Sequence, residues 1–243
     1  MSKKYKNPPV IEALCEFRFK DNPWNIMYPG EIYREVKNDY PVVKQMNFQT
    51  LQPDGGLFIE NRLQFVKEDS SGIIQITDLL LSIHVLKTYK SWKDFYPEIK
   101  KIFNIYSNIS NPKKLSHIAL RYVNKINIEM ESESIELKDY FDFYPFMGNN
   151  LPKTHGQFSL NVVTPYENGQ DFLKLGQKTP PFTKEKLLTV ILDLDYFSNR
   201  FENNIDTGEI FSWIDNAHTN LEGVFEGCIT DKLREKFHEV KDV

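Results

Sequence analysis

The stretch Leu57–Leu86, LFIENRLQFVKEDSSGIIQITDLLLSIHVL, decides the fold class. It divides into three apolar runs, Leu57–Val66, Ile73–Thr77 and Leu79–Leu86, and Ser70-Ser71-Gly72 separates the first two. Glycine tolerates a positive φ and serine hydroxyls bond the nearby backbone, so this separator is typical of a turn. Short apolar runs joined by turns predict neighbouring antiparallel strands.

The residues upstream extend this pattern. Phe48–Leu51 predicts a further strand, and Pro53-Asp54-Gly55-Gly56 predicts the turn after it. Val10–Phe19 alternates imperfectly between apolar and charged residues, which is typical of a strand with one solvated face. Between Pro29 and Pro41 the apolar spacing predicts a short helix.

Downstream, a helix and a long strand are predicted. Aromatic and aliphatic residues recur every three or four positions over Trp92–Tyr106, the stripe of a helix that packs on a sheet. Leu115–Ile128 alternates between apolar and polar residues and predicts the longest strand. Three more strands are predicted near His155–Thr164, Asp171–Leu175 and Leu187–Phe197, with a hairpin turn at Asn168-Gly169.

A second long helix is predicted near the end of the sequence. It is expected to begin after Asp206, whose side chain can cap it, and Glu209 can complete a capping box. Its apolar face runs to Cys228, and Thr230 or Asp231 is expected to cap a last helical turn. The order of elements is strands and then a helix, twice over.

These elements predict an α+β protein with a largely antiparallel, curved sheet packed by two long amphipathic helices. A single domain over residues 1–243 with one continuous sheet is the leading prediction. Two similarly organised halves are the alternative, with a subdomain boundary near 129–139, where the stretch Glu129–Glu136 is acidic.

Composition and charge limit the classes of function. The 243 residues are 40% hydrophobic and include 18 Phe and 12 Tyr, the composition of a globular protein with aromatic-rich strands. The formal net charge is −4 and the 30 basic residues are dispersed. Nucleic-acid binding, which depends on many phosphate contacts, is therefore not favoured, although a local basic face remains an alternative.

The cysteines and the hydropathy pattern predict a cytoplasmic protein. Cys15 and Cys228 are the two cysteines, without a C-x-x-C pair or a Cys/His cluster at zinc spacing, so we predict no metal and no cofactor. Met1–Asn7 does not lead into a signal-peptide core, and no segment approaches the roughly 18 apolar residues of a membrane-spanning helix.

Three short motifs carry a resemblance. They are NPPVIE at Asn7–Glu12, RYVNKI at Arg121–Ile126, and the segment Trp213–Phe237 with its Ile229-Thr230-Asp231. Together they resemble a sporadically distributed, uncharacterised prokaryotic protein family of about this length. The resemblance implies no catalytic residues. The family's patchy occurrence implies mobile genes, typical of defence, toxin–antitoxin or immunity functions.

Asp193 and Asp195 are the sharpest candidates for a metal-dependent active site. They alternate with apolar residues and are predicted to project to one side of a strand, as two carboxylates that share a magnesium ion would. A third ligand and a phosphate-binding loop are missing from the pattern. The favoured interpretation is an outward polar face that pairs with Arg121 or Lys125 on a neighbouring strand.

His218 is the candidate general base, because its ordinary pKa is near neutral. It lies beside the apolar stripe of the second long helix, and a hydrogen-bonded boundary residue is the favoured interpretation. In the first strand, Glu12, Glu16 and Arg18 share one face, and a solvated face with an Arg18–Glu16 pair is favoured over acid–base chemistry. His84, His117 and His155 have no predicted partners or roles.

Arg121, Asn124 and Lys125 are candidates for binding an anion, or RNA together with Tyr122. Arg121 and Tyr122 must point to opposite faces of a strand, which weakens a shared platform. An ordinary solvated strand is again the favoured interpretation.

These observations rank three functions. The first is a non-enzymatic binding or interaction protein with a protein partner, as an immunity, antitoxin or accessory component of a prokaryotic defence locus. It is motivated by the abundant aromatic residues, which dominate interface energetics, and by the missing catalytic signature. The alternatives are a metal-dependent nuclease or phosphodiesterase, and a small-ligand or RNA sensor. The oligomeric state is left open.

Overall fold

A computed structural model describes residues 4–51, 57–86, 89–130, 135–151, 156–181, 186–201 and 205–240. Within these ranges it shows an α+β protein with one open, nine-stranded antiparallel sheet and four α-helices. The predicted fold class is therefore confirmed, as is the single continuous sheet. The strands are β1 Val10–Lys20, β2 Val42–Leu51, β3 Leu57–Val66, β4 Gly72–Ile76, β5 Leu80–Leu86, β6 Lys114–Glu129, β7 Ser159–Tyr166, β8 Asp171–Lys178 and β9 Leu187–Ser198. The helices are α1 Tyr28–Val36, α2 Trp92–Ser110, α3 Thr207–Cys228 and α4 Asp231–Phe237.

The strand order is β2-β3-β4-β5-β1-β6-β9-β8-β7. The meander predicted from Leu57–Leu86 forms β3, β4 and β5, which pair with their sequence neighbours. Strand β1 joins this meander beside β5, with Glu16 opposite Ser82. The same connectivity occurs twice. Strands β3-β4-β5-β1 are successive neighbours in one part of the sheet, and β7-β8-β9-β6 are successive neighbours in the other. In the chain, α2 follows β5 and α3 follows β9. The predicted similarity of the two halves is thus one of connectivity.

The hairpin turn predicted at Asn168-Gly169 lies between β7 and β8. The turn Glu167–Gly169 joins them, and Glu167, Asn168 and Gly169 all have positive φ angles, of 45°, 54° and 84°. Asparagine and glycine adopt this region most readily, so the Asn-Gly signal places the turn correctly. Strand β7 begins at Ser159, and the predicted start at His155 lies outside the described residues.

The N-termini of α3 and α4 are capped differently. At the start of α3, Asp206 Oδ1 accepts hydrogen bonds from the backbone N–H groups of Gly208, at 2.8 Å, and Glu209, at 3.0 Å, which confirms Asp206 as the cap. Thr230 occupies the cap position of α4 without a side-chain capping bond. Its hydroxyl instead donates to the carbonyl oxygen of Asp139 at 2.7 Å, so Thr230 is the cap residue as predicted but makes no side-chain capping bond.

Backbone contacts divide the chain into two compact units. The N-unit comprises residues 12–120 and 197–215, and the C-unit comprises 1–11, 121–196 and 216–243. In the N-unit, α2 packs on the sheet with Phe103 against Phe17, at 4.7 Å between ring centroids. The C-unit core has its own buried residues on β6, β9 and α3, which include Ile126, Leu192, Leu194 and Leu221.

Candidate functional site

The two faces of the N-unit sheet carry different residues. Ala13, Cys15 and Phe17 of β1 are fully buried, and ring contacts such as Tyr33–Phe65 at 5.4 Å place α1 on the same face as α2. Residues that alternate with these in β1 and β3–β5 point to the opposite face. Many polar residues lie on that face, away from α1 and α2. We call them the polar strip: Glu12, Glu16, Arg18, Glu60, Arg62, Gln64, Gln75, Ser82 and His84. Gln64, Gln75 and Ser82 are buried, and the other six are partly exposed.

A continuous hydrogen-bond chain lies at the centre of the polar strip. His84 Nδ1 is 2.8 Å from Glu12 Oε1, and His84 Nε2 is 2.9 Å from Ser82 Oγ. An ionised carboxylate only accepts hydrogen bonds, so with Glu12 ionised Nδ1 carries the hydrogen and Nε2 accepts from the Ser82 hydroxyl. The pairing register produces this contact, because His84 lies opposite Leu14 and therefore diagonal to Glu12.

The order of these three groups is that of a serine–histidine–acid triad. A nucleophile must reach a substrate carbonyl, however, and Ser82 is only 1% exposed. Ser82 also lies in a strand that pairs on both sides, with Gln75 opposite it on β4 and Glu16 opposite it on β1. The arrangement therefore favours fixing the position of His84 over nucleophilic catalysis.

Two ion pairs flank the chain. Arg18 Nε donates to Glu16 Oε1 at 2.6 Å, which confirms the predicted pair, and Arg62 Nε donates to Glu60 Oε2 at 2.6 Å. In each pair the residues are two apart on a strand and so share a face. Arg62 Nη1 also donates to Gln75 Oε1 at 3.1 Å. These bonds restrict the rotamers of the Arg18 and Arg62 side chains before any ligand binds.

The charge of the polar strip is nearly balanced. Three carboxylates, of Glu12, Glu16 and Glu60, face two guanidinium groups, of Arg18 and Arg62, so the net charge is −1 with neutral His84. Such a surface is not suited to a polyanion, which needs an excess of positive charge. The strip crosses four neighbouring strands, β3-β4-β5-β1, a width of about 14 Å at the usual strand spacing.

Asp193 and Asp195 project to the same side of β9, as predicted, and alternate with the buried Leu192 and Leu194. Arg121 of β6 binds Asp193 through two bonds, Nε to Oδ1 at 2.7 Å and Nη2 to Oδ2 at 2.5 Å. Both carboxylate oxygens of Asp193 are therefore occupied by a guanidinium. This cross-strand pair is the favoured interpretation from the sequence, and Asp193 would have to release Arg121 before it could bind a metal ion.

Across the described ranges, no group of three or more His, Cys, Asp or Glu residues is placed to hold a metal ion. The same part of the chain contains no helix long and apolar enough to cross a membrane.

The structure separates the predicted binding residues of β6. Lys125 is exposed and Arg121 is bound to Asp193, both on the outer face of the C-unit sheet. Asn124 lies on the other face, where it is 1% exposed and its Nδ2 donates to the carbonyl oxygen of Leu192 at 3.3 Å. A ligand on the outer face can contact Arg121 and Lys125 but not Asn124.

His218 is a buried, hydrogen-bonded residue of α3. Its Nδ1 is 3.1 Å from the Tyr122 hydroxyl of β6, and its Nε2 is 3.3 Å from Glu222 Oε1, one helical turn further on. Both ring nitrogens have partners between the helix and the sheet, which agrees with the favoured interpretation of a bonded boundary residue.

The clearest shifts in pKa lie at buried phenols away from the polar strip. Burial, with Glu98 beside it, raises the pKa of Tyr40, whose hydroxyl donates to Glu98 Oε1 at 2.6 Å. Burial and the neighbouring Asp171 likewise raise the pKa of Tyr196. These groups stay protonated hydrogen-bond donors and act in packing.

The hydrogen-bond chain of Glu12, His84 and Ser82 was not predicted from the sequence. Ser82 and His84 are two apart on one strand face, which is a visible signal. Their link to Glu12 depends on which residues of β1 and β5 lie opposite each other, and two sequences separated by about 70 residues do not specify this register.

A scan against models of known protein families finds no match for this chain, and a search of curated proteins finds no significant relative.

Proposed function

We propose that this protein is a non-enzymatic binding protein that contacts a protein partner through the polar strip of the N-unit. One observation carries the proposal: ionisable and amide side chains on the face away from α1 and α2 are held in place by bonds to one another. Side chains with fixed rotamers lose little entropy when a partner binds, which favours recognition. The nearly balanced charge suits a partner surface with both hydrogen-bond donors and acceptors.

The dimensions of the strip favour a protein over a small molecule. Small-molecule sites are concave and enclose most of the ligand surface. The polar strip extends across four strands, and the helices α1 and α2 that could enclose a ligand pack on the opposite face. The partly exposed charged residues of the strip, spread over this width, match the polar rim of a protein–protein interface.

The cellular setting belongs to the same proposal. Cys15 and Cys228 are both free thiols in buried positions, which supports a function in the reducing cytoplasm. The resemblance carried by NPPVIE and RYVNKI supports a role as an immunity, antitoxin or accessory component of a prokaryotic defence locus.

The test uses a photoreactive amino acid at single positions of the full chain in its host. Arg18 lies in the polar strip, and Lys44, an exposed residue opposite Gln64, extends the same face. Lys93 on α2 is the matched control, because it is exposed on the helical side. We expect one protein to crosslink from both Arg18 and Lys44 positions, and not from Lys93.

Two outcomes would overturn the proposal. One is the absence of any protein crosslink from the Arg18 and Lys44 positions. The other is the same set of products from the Lys93 position, since a specific surface must discriminate. A crosslink to RNA at the strip positions would instead favour the sensor hypothesis.

A further inference from the structure

Strand β7, Ser159–Tyr166, ends the sheet on the C-unit side. Within the described residues it pairs with β8 alone. Its sequence, SLNVVTPY, contains no charged residue, and Val162 and Val163 are 41% and 57% exposed. Natural proteins usually protect an exposed edge with charged residues, proline or a very short strand. Pro165 protects only the end of β7, so the uncharged residues 159–163 with their exposed valines are a template for another strand.

The hydrogen-bonding pattern shows which residues face the open edge. The backbone N–H of Thr179 donates to the carbonyl oxygen of Phe158 at 3.1 Å, which fixes the pattern beside β7. Bonding direction alternates along an antiparallel strand, so Ser159, Asn161 and Val163 direct their N–H and C=O groups away from β8. Pro165 has the same parity, and its missing N–H ends the run of donors.

We propose that two copies of the chain pair through β7, antiparallel, with a twofold axis at Asn161. In this register Asn161 faces its own copy, and Leu160 lies opposite Val162 of the other copy. The outward-directed N–H and C=O groups of Ser159, Asn161 and Val163 in the two copies then form about six main-chain hydrogen bonds. The nine-stranded sheet becomes continuous across the two copies.

The sequence of β7 favours a second copy as the occupant. A twofold interface requires that a surface complement itself. About Asn161, the apolar Leu160 and Val162 meet each other, and the amide of Asn161, which is both donor and acceptor, meets its own copy. The other end of the sheet, β2, carries Lys44, a charge of the kind that blocks edge pairing.

Disulfide trapping tests the register. In a hydrogen-bonded antiparallel pair the Cα atoms are about 5.5 Å apart, within the range that a disulfide spans. We expect Asn161→Cys to form a covalent dimer under mild oxidation. Val163→Cys is the matched control, because the two copies of residue 163 are about 13 Å apart along the strand. The native thiols of Cys15 and Cys228 are buried and do not interfere.

Sedimentation of the full chain tests the interface itself. We expect a concentration-dependent dimer for the wild type, and a monomer for Asn161→Lys, because two ammonium groups then face each other at the axis. Lys174→Gln, an exposed change on β8, should leave the dimer intact. The proposal is overturned if the wild type stays monomeric, if Asn161→Lys remains dimeric, or if Val163→Cys crosslinks as well as Asn161→Cys.

Discussion

Each unit contains a histidine held between a hydroxyl and a glutamate, and the two are equally buried. The side chain of His84 in the N-unit is 12% exposed and that of His218 in the C-unit is 11% exposed. His84 joins partners from two strands on the face away from α1 and α2. His218 joins Tyr122 of the sheet to Glu222 of its own helix.

The comparison shows that burial alone does not identify a functional histidine. The His218 bonds connect α3 to β6 and therefore stabilise packing. The His84 bonds connect side chains of neighbouring strands, which the backbone ladder already holds together. We therefore expect His218 to contribute more to stability, and His84 more to recognition.

The largest expected effect is that of His218→Ala on the free energy of unfolding, and it tests whether His218 stabilises the packing of α3 on β6. His218→Ala removes both bonds, leaves the Tyr122 hydroxyl without that partner and opens a cavity beneath α3. We expect the free energy of unfolding to fall by about 2–3 kcal/mol, measured by urea denaturation. His218→Gln, which keeps a hydrogen-bonding side chain, should recover part of the loss. A cost below that of His84→Ala would contradict the assignment.

His84→Ala is expected to cost less stability, about 1–2 kcal/mol, because it leaves the Ser82 hydroxyl without an imidazole partner. Its larger effect should be on the crosslinking yield from the Arg18 position. His117→Ala is the matched control, since His117 is also a strand histidine and its Nδ1 is 2.8 Å from Oδ1 of the exposed Asn199. Unchanged yield in His84→Ala would remove His84 from the recognition surface.

The contrast also explains what could be predicted from the sequence. The strands, both long helices and the Asp206 cap follow from local periodicity and turn chemistry, which neighbouring residues determine. The Arg18–Glu16 pair is local in the same sense, because residues two apart share a strand face.

Side-chain contacts that depend on the pairing register of two strands were predicted incompletely or not at all. The Arg121–Asp193 pair was one of two predicted partners, and the Glu12–His84 bond was not predicted at all. Each joins residues more than 70 positions apart, and a shift of one residue in pairing would move a side chain to the other face. Thr230 lies at the predicted cap position but makes no side-chain capping bond for a related reason: its hydroxyl donates to the carbonyl oxygen of Asp139, a residue distant in sequence.

The Arg121–Asp193 pair provides a smaller test, within the C-unit. Both side chains are partly exposed, at 39% and 27%, so solvent screens their attraction. We expect Arg121→Ala to lower the free energy of unfolding by about 1 kcal/mol, and a double-mutant cycle with Asp193→Ala to recover most of it as coupling. Lys125→Ala, on the same face, should change stability by less. Additive single effects would show that the two side chains do not interact in solution.

The two cysteines provide the smallest test, one in each unit. Burial raises the pKa of the Cys15 thiol, and burial, with Asp142 nearby, raises the pKa of Cys228 to about 12. Both thiols should therefore resist iodoacetamide at pH 8 in the folded protein and react fully in urea, because only the thiolate is nucleophilic. Mass spectrometry of the partly labelled protein identifies which thiol reacts first, and Cys228 is expected to, since Cys15 is fully buried.

The raised pKa values of the two thiols determine how the free energy of unfolding changes with pH. A thiol whose pKa is raised on folding contributes its full stability below the unfolded pKa, and that contribution is lost as pH rises through the folded value. Between about pH 9 and 12 only the unfolded chain forms thiolates, so urea midpoints should fall with pH. Cys228→Ser should reduce this slope because serine does not ionise in that range. An unchanged slope would mean that the thiol of Cys228 is accessible to water, and that the C-unit opens more readily than its buried core indicates.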